Sequence, residues 1–376
     1  MSEFQYYEFR AIDKPLSSKA RAEISSWSSR TTADAHSAIF TYSYSDFPKN
    51  AHQVVEEYFD MMLYYANWGS VQLIIKLPLD LIDLRKIEQY CVGDTISLSK
   101  KNDFVLLDFE FNEDEGFEDW IDLQGYLSRL IGIREEILSG NYHSLYLGWL
   151  HSIWRARDWE DFEGSDLAPE LPDSPPQLTD SLLAFIDLLG IDPVIKDFWM
   201  QQSPPAKHTK LLDIAQQISL LSDAEKQAYL LRLAEGEALL STKFLNHLKK
   251  IAEKEEKPQN QSSQKSVQEI LAYLHEVETM RINEEQRLKE KDRVEKLEGW
   301  AKKEASFWQE VKKNIEEKNA KSYDYAIKIL LNLKELAEYK NKTSEFEKRM
   351  NEIVQSYSRL SSFKDKLFQK RLIERN

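Results

Sequence analysis

The sequence contains a single cysteine, Cys91, among 376 residues. One cysteine excludes an intrachain disulfide and any zinc site built on cysteine pairs. The seven histidines are scattered along the chain rather than grouped at metal-binding spacings. We therefore expect no cofactor and no structural metal ion. A chain with one cysteine and no disulfide also suits a reducing compartment.

Long apolar runs are absent as well. No uncharged apolar stretch approaches the roughly 20 residues that a membrane-spanning helix needs. The opening segment MSEFQYYEF also lacks the basic and apolar regions of a secretory signal peptide. These absences predict a soluble, cytoplasmic protein with no membrane span.

The linear signatures of the best-known enzyme families are missing too. The chain has no GxxxxGK[ST] or GxGxxG loop to cradle a phosphate, and no GxSxG, HExxH or protein-kinase motif. This excludes only the families that carry such signatures. The sequence leaves open whether the protein is an enzyme, and a non-enzymatic role is the favoured interpretation.

The formal net charge of -14 is unevenly divided along the chain. Residues 266–376 contain 24 Lys and Arg against 21 Asp and Glu, whereas residues 1–265 contain 26 against 43. The two parts therefore carry net charges of +3 and -17. An acidic surface repels phosphate groups, so nucleic-acid binding is disfavoured except through the basic C-terminal segment 361–376.

Residues 1–111 show the patterns of an α+β domain. Strands are predicted where aromatic, β-branched and other apolar residues alternate or run together, over 4–12, 37–47, 70–79 and, as a hairpin, 95–111. Helices are predicted over 15–29, from Pro15, and over 50–69, between the N-cap residue Asn50 and Gly69. This order of elements predicts a mixed or antiparallel sheet with helices packed on it.

Residues 112–256 show no further strand pattern and are predicted to be a helical region continuing from the sheet domain. The predicted helices are 112–140, 142–159, 178–190, 192–202, 207–221 and 222–254. The last of these begins with Ser222 and Glu225, which have the spacing of a capping box. The polar segment KPQNQSSQKS, residues 257–266, predicts a linker.

The remaining residues, 267–376, are predicted to form a helical C-terminal arm. Apolar residues at heptad-like spacing predict a hairpin in which 323–337 packs against 346–360. The basic segment 361–376 has apolar residues at helical intervals. Such a segment can contact a membrane, a nucleic acid or an acidic partner, and docking on the acidic part of this chain is the favoured interpretation.

The segment YHSLYLGWLHSIWRARDW, residues 142–159, is the strongest local candidate for a site. On a helix, His143 and His151 lie two turns apart and within roughly 80° of each other. The pair could hold a metal ion or carry protons, although eight residues is a poor spacing for two ligands of one ion. The large or charged neighbours that could form an interaction patch are Trp149, Trp154, Arg155 and Trp159. The favoured alternative is an aromatic-rich helix buried between layers, with hydrogen-bonded histidines.

The acidic segment NEDEGFEDWID, residues 112–122, is a second candidate. Its composition resembles a calcium-binding loop, but it lacks the ligand order and the closing glutamate of an EF-hand. A solvated loop after a strand is therefore the favoured interpretation.

Several segments resemble an uncharacterised family of bacterial proteins of about this length. They are YYEFRAIDKPLS (6–17), YFDMMLYYANWG (58–69), NEDEG…W (112–120), LSGNYHSLYLGWL (138–150), LPDSPPQL…LLAFIDLLGID (171–192) and KNAKSYDYAIKILLNLKELA (318–337). The last segment is also similar to the C-terminal helices of bacterial SWIM zinc-finger proteins, although the zinc finger itself is absent here. The resemblance implies a bacterial, cytoplasmic protein with its domain order intact, and it brings no activity or catalytic residue.

Three hypotheses about function follow from these observations. The leading one is a non-enzymatic protein-interaction module, a scaffold or regulator, with a place in a bacterial regulatory or defence operon as a further speculation. The alternative is an enzyme with a site near the 142–159 helix, and a weaker one is nucleic-acid contact through the C-terminal arm. A concave pocket that gathers His143, His151 and carboxylates would favour the enzyme, whereas an exposed apolar patch would favour the interaction module.

Overall fold

The computed structural model describes residues 3–29, 31–93, 95–112, 123–157, 166–202, 214–253 and 265–373. The chain divides into two compact units, Met1–Val277 and Glu278–Asn376. The first unit is built on a β-sheet and the second is helical. No helix within the described ranges combines the length and the apolar composition that crossing a membrane requires.

One antiparallel sheet forms the centre of the first unit. Its strands are β1 (Gln5–Arg10), β2 (Thr31–Ala33), β3 (Ser37–Tyr42), β4 (Met61–Ala66), β5 (Ser70–Pro78), β6 (Ile96–Lys100) and β7 (Phe104–Asn112). Their order across the sheet is β2-β3-β1-β4-β5-β7-β6. The register places Phe9 of β1 opposite Ala38 and Met62, and Leu73 of β5 opposite Phe109. The predicted fold class, an α+β sheet followed by a helical region, is confirmed.

The four predicted strand segments contain β1, β3, β5 and the β6–β7 hairpin. The predicted helix over 15–29 is shorter than expected: α1 spans Ser18–Ser26, and the side chain of Ser17, not Pro15, precedes it as the N-cap. Ser17 accepts a hydrogen bond from the backbone N–H of Ala20, which satisfies a donor that the first turn would leave free.

The predicted helix over 50–69 is wrong beyond its second turn. Helix α2 spans Ala51–Tyr58, capped by Asn50 as expected, and the chain then enters β4. β4 lies in the middle of the sheet, and both of its faces are covered, so its two alternating sets of side chains are both apolar. A strand buried on both faces loses the period-two pattern, and its apolar run fits helical spacing equally well.

Helices α1 and α2 cover one face of the sheet. The buried side chains between these helices and the strands include Phe9, Ile24, Phe40, Val54, Val55, Met62, Ile74 and Leu106. Phe9 makes an edge contact with the ring of Phe40, at 6.0 Å between centroids. This layer is the smaller of the two cores in the first unit.

The opposite face of the sheet carries the larger core. It packs against helices that include α4 (Leu127–Leu138), α5 (His143–Ala156), α6 (Asp180–Leu189) and α7 (Pro193–Gln201). α5 lies close to the sheet at Gly148, where an added Cβ would stand 3.1 Å from side-chain atoms of Ile96 and Phe109. Glycine at this position therefore lets the helix approach the strands closely.

Among the described residues, the first unit also contains α3 (Leu84–Glu88), α8 (Ile214–Leu220), α9 (Asp223–Ala234), α10 (Leu240–Glu253) and the beginning of α11 (Val267–Lys302). The single helix predicted over 222–254 is therefore two helices. The break contains Gly236 and Leu239, both with positive φ, at 70° and 57°. A left-handed glycine ends α9, because its missing Cβ removes the steric cost of that conformation.

The second unit contains the rest of α11 (Val267–Lys302), then α12 (Glu304–Glu316), α13 (Ala320–Tyr339), α14 (Thr343–Ser356) and α15 (Ser361–Gln369). α13 and α14 pack together as the apolar stripes predict, with Leu330 of α13 and Met350 of α14 in one core. Phe363 and Leu367 of α15 belong to the same core. The apolar side of the basic C-terminal segment is thus buried within the second unit.

The division between the units falls inside α11. Val267, Ile270 and Leu274, which the sequence assigned to the C-terminal arm, pack in the core of the first unit. Of the predicted linker, residues 257–264 lie outside the described residues, as do residues 113–122 of the acidic segment.

Candidate functional site

The histidine helix predicted at 142–159 is α5, and His143 lies at its first residue. The indole N–H of Trp199 donates to His143 Nδ1 at 3.0 Å. Because an indole is a donor only, His143 carries its proton on Nε2, which lies 3.0 Å from the carbonyl oxygen of Ser174. Burial lowers the pKa of His143, and the space beside its ring is too small to hold a water molecule. Both ring nitrogens are therefore engaged in hydrogen bonds within the chain.

His151 lies two turns further along α5 and is 4% exposed. Its ring packs 5.0 Å from the ring of Phe111, and neither ring nitrogen has a hydrogen-bond partner in the described part of the chain. Burial, with a smaller contribution from the charge of Arg155, lowers the pKa of His151 to about 3. Eight residues of helix separate the two histidines by about 12 Å along the axis, too far for one metal ion.

The other predicted site residues on α5 also lie in packing contacts. Trp149 stacks on Tyr146 at 5.7 Å, and Trp154 meets the ring of His275 edge-on at 5.5 Å. Arg155 donates to the carbonyl oxygen of Asn112. Trp159 lies outside the described residues. The structure thus places these residues on a helix packed between layers, but the hydrogen bonds that the sequence analysis expected for both histidines are found in the described residues for His143 and not for His151.

A charged cleft that the sequence did not indicate lies at one end of the sheet. It has a volume of about 520 Å³ and is lined by Asp13, Asp60, Lys76, Pro78, Leu79, Asp80, Asn102, Asp103, Phe104 and Arg134. Arg134 of α4 is fully buried and donates from both terminal nitrogens to the two carboxylate oxygens of Asp13, each at 2.8 Å. Its Nε donates to the carbonyl oxygen of Lys76.

The buried charges of this cleft bind groups of the chain itself. Asp60 Oδ2 accepts from the backbone N–H groups of Ile12 and Asp13, at 2.7 and 2.9 Å. The ammonium of Lys76 donates to the carbonyl oxygen of Glu56 at 2.7 Å, and burial lowers the pKa of Lys76. Within the described ranges, no group of three or more His, Cys, Asp and Glu side chains is placed to hold a metal ion. The hydrogen bonds of Arg134 in this cleft therefore hold α4 against the sheet.

Helix α9 carries several exposed leucines on its surface. The helix begins with the predicted capping box: Ser222 accepts from the backbone N–H of Glu225, and the Glu225 carboxylate accepts from the backbone N–H of Ser222 at 2.8 Å. These hydrogen bonds from Ser222 hold the pKa of Glu225 below its usual value. The Tyr229 ring packs 4.7 Å from Phe244 of α10, and its hydroxyl is 3.0 Å from His247 Nδ1.

The side of α9 opposite Tyr229 is apolar and faces solvent. We call this side the outer face of α9; it consists of the apolar residues Ala224, Ala228, Leu230, Leu231 and Ala234 together with the polar Gln227. They recur at intervals of three and four residues, which places them on one side of a helix. Leu230 is 66% exposed and Leu231 is 58% exposed. A helix normally turns such a stripe toward a core, and none of the residues of α9 is buried.

The acidic residues Asp223 and Glu235 lie at the two ends of the outer face. Asp223 is fully exposed, with Lys226 as its ion-pair partner at 3.6 Å. Arg232 lies on the other side of the helix, where its guanidinium is placed over the Tyr229 ring. Its Nε and one terminal nitrogen donate to the two carboxylate oxygens of Glu237, at 2.5 and 2.8 Å. The outer face is therefore an apolar stripe between two carboxylates.

Comparison with known proteins gave no match: no family model, no curated protein and no solved structure is significantly similar to this chain.

Proposed function

We propose that this chain is a non-enzymatic protein-interaction module, a scaffold or regulator, that works in the cytoplasm and binds a partner protein through the outer face of α9. The observation that carries the proposal is the solvent exposure of Leu230 and Leu231 on a helix that is joined to α10 through the contact of Tyr229 with Phe244. Exposed apolar stripes of this kind are typical of protein-interaction sites.

The free energy available from covering the outer face supports this proposal. Fully burying a leucine side chain contributes about 1.5–3 kcal/mol. Leu230 and Leu231 are each about three-fifths exposed, so a partner that covers both gains about 2–4 kcal/mol from these two side chains. Two such central contacts suit a reversible interaction with few dominant residues.

The two other hypotheses gain less support from the described residues. For an enzyme near α5, His143 is bound to Trp199 and Ser174, and His151 is enclosed beside Phe111. For nucleic-acid contact through the C-terminus, Lys366 of the basic segment is already paired with Asp324. The histidines of the enzyme hypothesis are thus enclosed by the chain itself, and one cation of the basic segment is already paired.

We propose that the chain belongs to the uncharacterised bacterial family whose segments it shares, with C-terminal helices akin to those of SWIM zinc-finger proteins. A role in a regulatory or defence operon is the speculative extension of a regulator without catalytic chemistry.

The test compares two leucines of the same helix. Leu231 lies on the outer face, whereas Leu233 is 65% exposed about 160° around the helix and serves as the matched control. Tagged wild-type protein, Leu231→Gln and Leu233→Gln are purified from the native cell, and the co-purifying proteins are identified by mass spectrometry. Each candidate is then produced separately and titrated against the three purified chains.

The proposal expects a partner that binds wild-type protein and Leu233→Gln equally, and binds Leu231→Gln about tenfold more weakly. A partner that binds all three chains alike would place the interaction elsewhere on the molecule. If no candidate binds the purified wild-type protein, the proposed function is wrong.

A further inference from the structure

We infer that the partner segment on the outer face of α9 is a basic amphipathic helix of another protein. The inference rests on the proposed function and adds the chemistry of the partner. It is carried by the arrangement of charge and side-chain size on the outer face, and by the symmetry of a competing arrangement.

The charge on the outer face calls for a basic partner. Asp223 and Glu235 are separated by twelve residues, or about 18 Å along the helix axis, with the apolar stripe between them. Both carboxylates are exposed. A partner with cations at both ends of its apolar stripe matches this pattern, and an acidic or anionic surface does not.

The side-chain sizes on the outer face suit a helical partner. Ala224, Ala228 and Ala234 are small, whereas Leu230 and Leu231 project, so the surface has low positions beside a ridge. Helices pack by placing the ridges of one into the grooves of the other, at interaxial distances of about 8–10 Å. A helix with apolar residues at i, i+3 or i+4, and i+7 offers the complementary ridges.

A second copy of this chain is a poor occupant for the same face. In a symmetric pair with antiparallel helices, Asp223 of each copy would meet Glu235 of the other. In a symmetric pair with parallel helices, each acidic residue would meet its own counterpart. Like charges face each other in both cases, at the edge of an apolar contact that would remove water from them. The outer face is thus complementary to a basic helix and not to itself.

The experiment measures binding of two designed peptides to the full-length protein by fluorescence anisotropy. Both peptides carry the same leucines and alanines at helical spacing, and they differ only at two end positions about twelve residues apart, which are Lys in one and Glu in the other. The proteins are wild type, Leu231→Gln, the control Leu233→Gln, and Glu235→Gln. Circular dichroism and thermal unfolding of each variant check that the overall fold is retained.

The Lys peptide is expected to bind wild type about tenfold more tightly than the Glu peptide, and this preference should shrink as salt rises. Leu231→Gln should weaken binding of the Lys peptide about tenfold, Glu235→Gln a few-fold, and Leu233→Gln not at all. If both peptides bind with equal affinity and Leu231→Gln weakens both, the interaction face stands but the basic partner is wrong. If neither peptide binds, or binding ignores Leu231, the inference is overturned, and the titrations of native candidates decide the proposed function separately.

Discussion

Replacing His151 by leucine should remove a large acid-dependent loss of stability. The His151 ring is enclosed on α5 beside Phe111, and burial lowers its pKa to about 3, whereas an unfolded histidine titrates near 6.5. The unfolded chain therefore takes up a proton before the folded one does. The stabilisation is complete above about pH 6.5 and is lost as pH falls from there toward 3.

The magnitude follows from the separation of the two pKa values. Each pH unit between them changes the free energy of unfolding by about 1.4 kcal/mol. Lowering the pH from 7 to 5 crosses about 1.5 of these units, so His151 alone should cost the wild-type protein about 2 kcal/mol. His151→Leu lacks this loss. The variant should also be more stable at pH 7 by about 1–3 kcal/mol, because both ring nitrogens of His151 are buried without a partner in the described residues.

The assay is urea unfolding of both proteins at pH 7, 6 and 5, followed by tryptophan fluorescence, with the slope of the transition compared to check that the same surface unfolds. The difference in unfolding free energy between variant and wild type should widen by about 2 kcal/mol at pH 5. Carboxylates titrate in both proteins and cancel in this difference. A constant difference across pH, or an NMR titration of His151 near 6.5, would refute the reasoning.

Three further perturbations test the first unit. The hydrogen bond with Asp108, 2.7 Å away, raises the pKa of His52, so this stabilisation is complete below about pH 6.5 and is lost as pH rises through the folded pKa. The unfolding free energy of wild type minus that of His52→Gln should therefore decrease from pH 6 to 8, because the contribution of His151 is common to both proteins; a constant difference would contradict this. Arg134→Met leaves Asp13 without its two charged hydrogen bonds and should cost about 3–5 kcal/mol, and Arg134→Lys should recover only part of it, whereas full recovery would show that the two-pronged geometry is unimportant. Gly148→Val crowds the strands beneath α5 and should lower the unfolding free energy by about 1–3 kcal/mol in the same urea assay; an unchanged midpoint would show that the sheet yields freely.

Sequence patterns identified most of the sheet because most strands carry a recognisable alternation or a turn. β6 and β7 are separated by a short polar turn, and β5 is a compact apolar run, so their positions are confirmed. β4 escaped because it is central and buried on both sides. Its position in the sheet comes from pairing with β1 and β5, and pairing partners are not encoded in a local window.

For the candidate site residues, sequence-based prediction is limited in a different way. Apolar periodicity locates a stripe on α9 but does not state whether the stripe faces a core or solvent, because both cases give the same spacing. Arg134 did leave a signal, since it interrupts the apolar positions Leu130 and Ile137 of α4 and is charged where the stripe predicts a core residue. Its partner Asp13 is far away in sequence, so the pair itself required the fold.

The order of the strands has a consequence for how the sheet is made. Every pair of neighbouring strands is antiparallel, and all seven strands lie within residues 5–112, although β1 pairs with β3 and β4, so that Gln5 lies opposite Tyr42 and Ala66. The entropic cost of closing a loop grows only slowly with its length, and none of the described strands pairs with a residue beyond residue 112. The sheet can therefore assemble while later residues are still being synthesised. Until α4, α5 and α6 follow, the face that carries Leu63 and Leu73 has no cover. During that interval the nascent chain exposes an apolar surface that is prone to aggregation. We expect a chaperone to bind the chain at this stage, and we expect a delay in translation at this stage to favour aggregation.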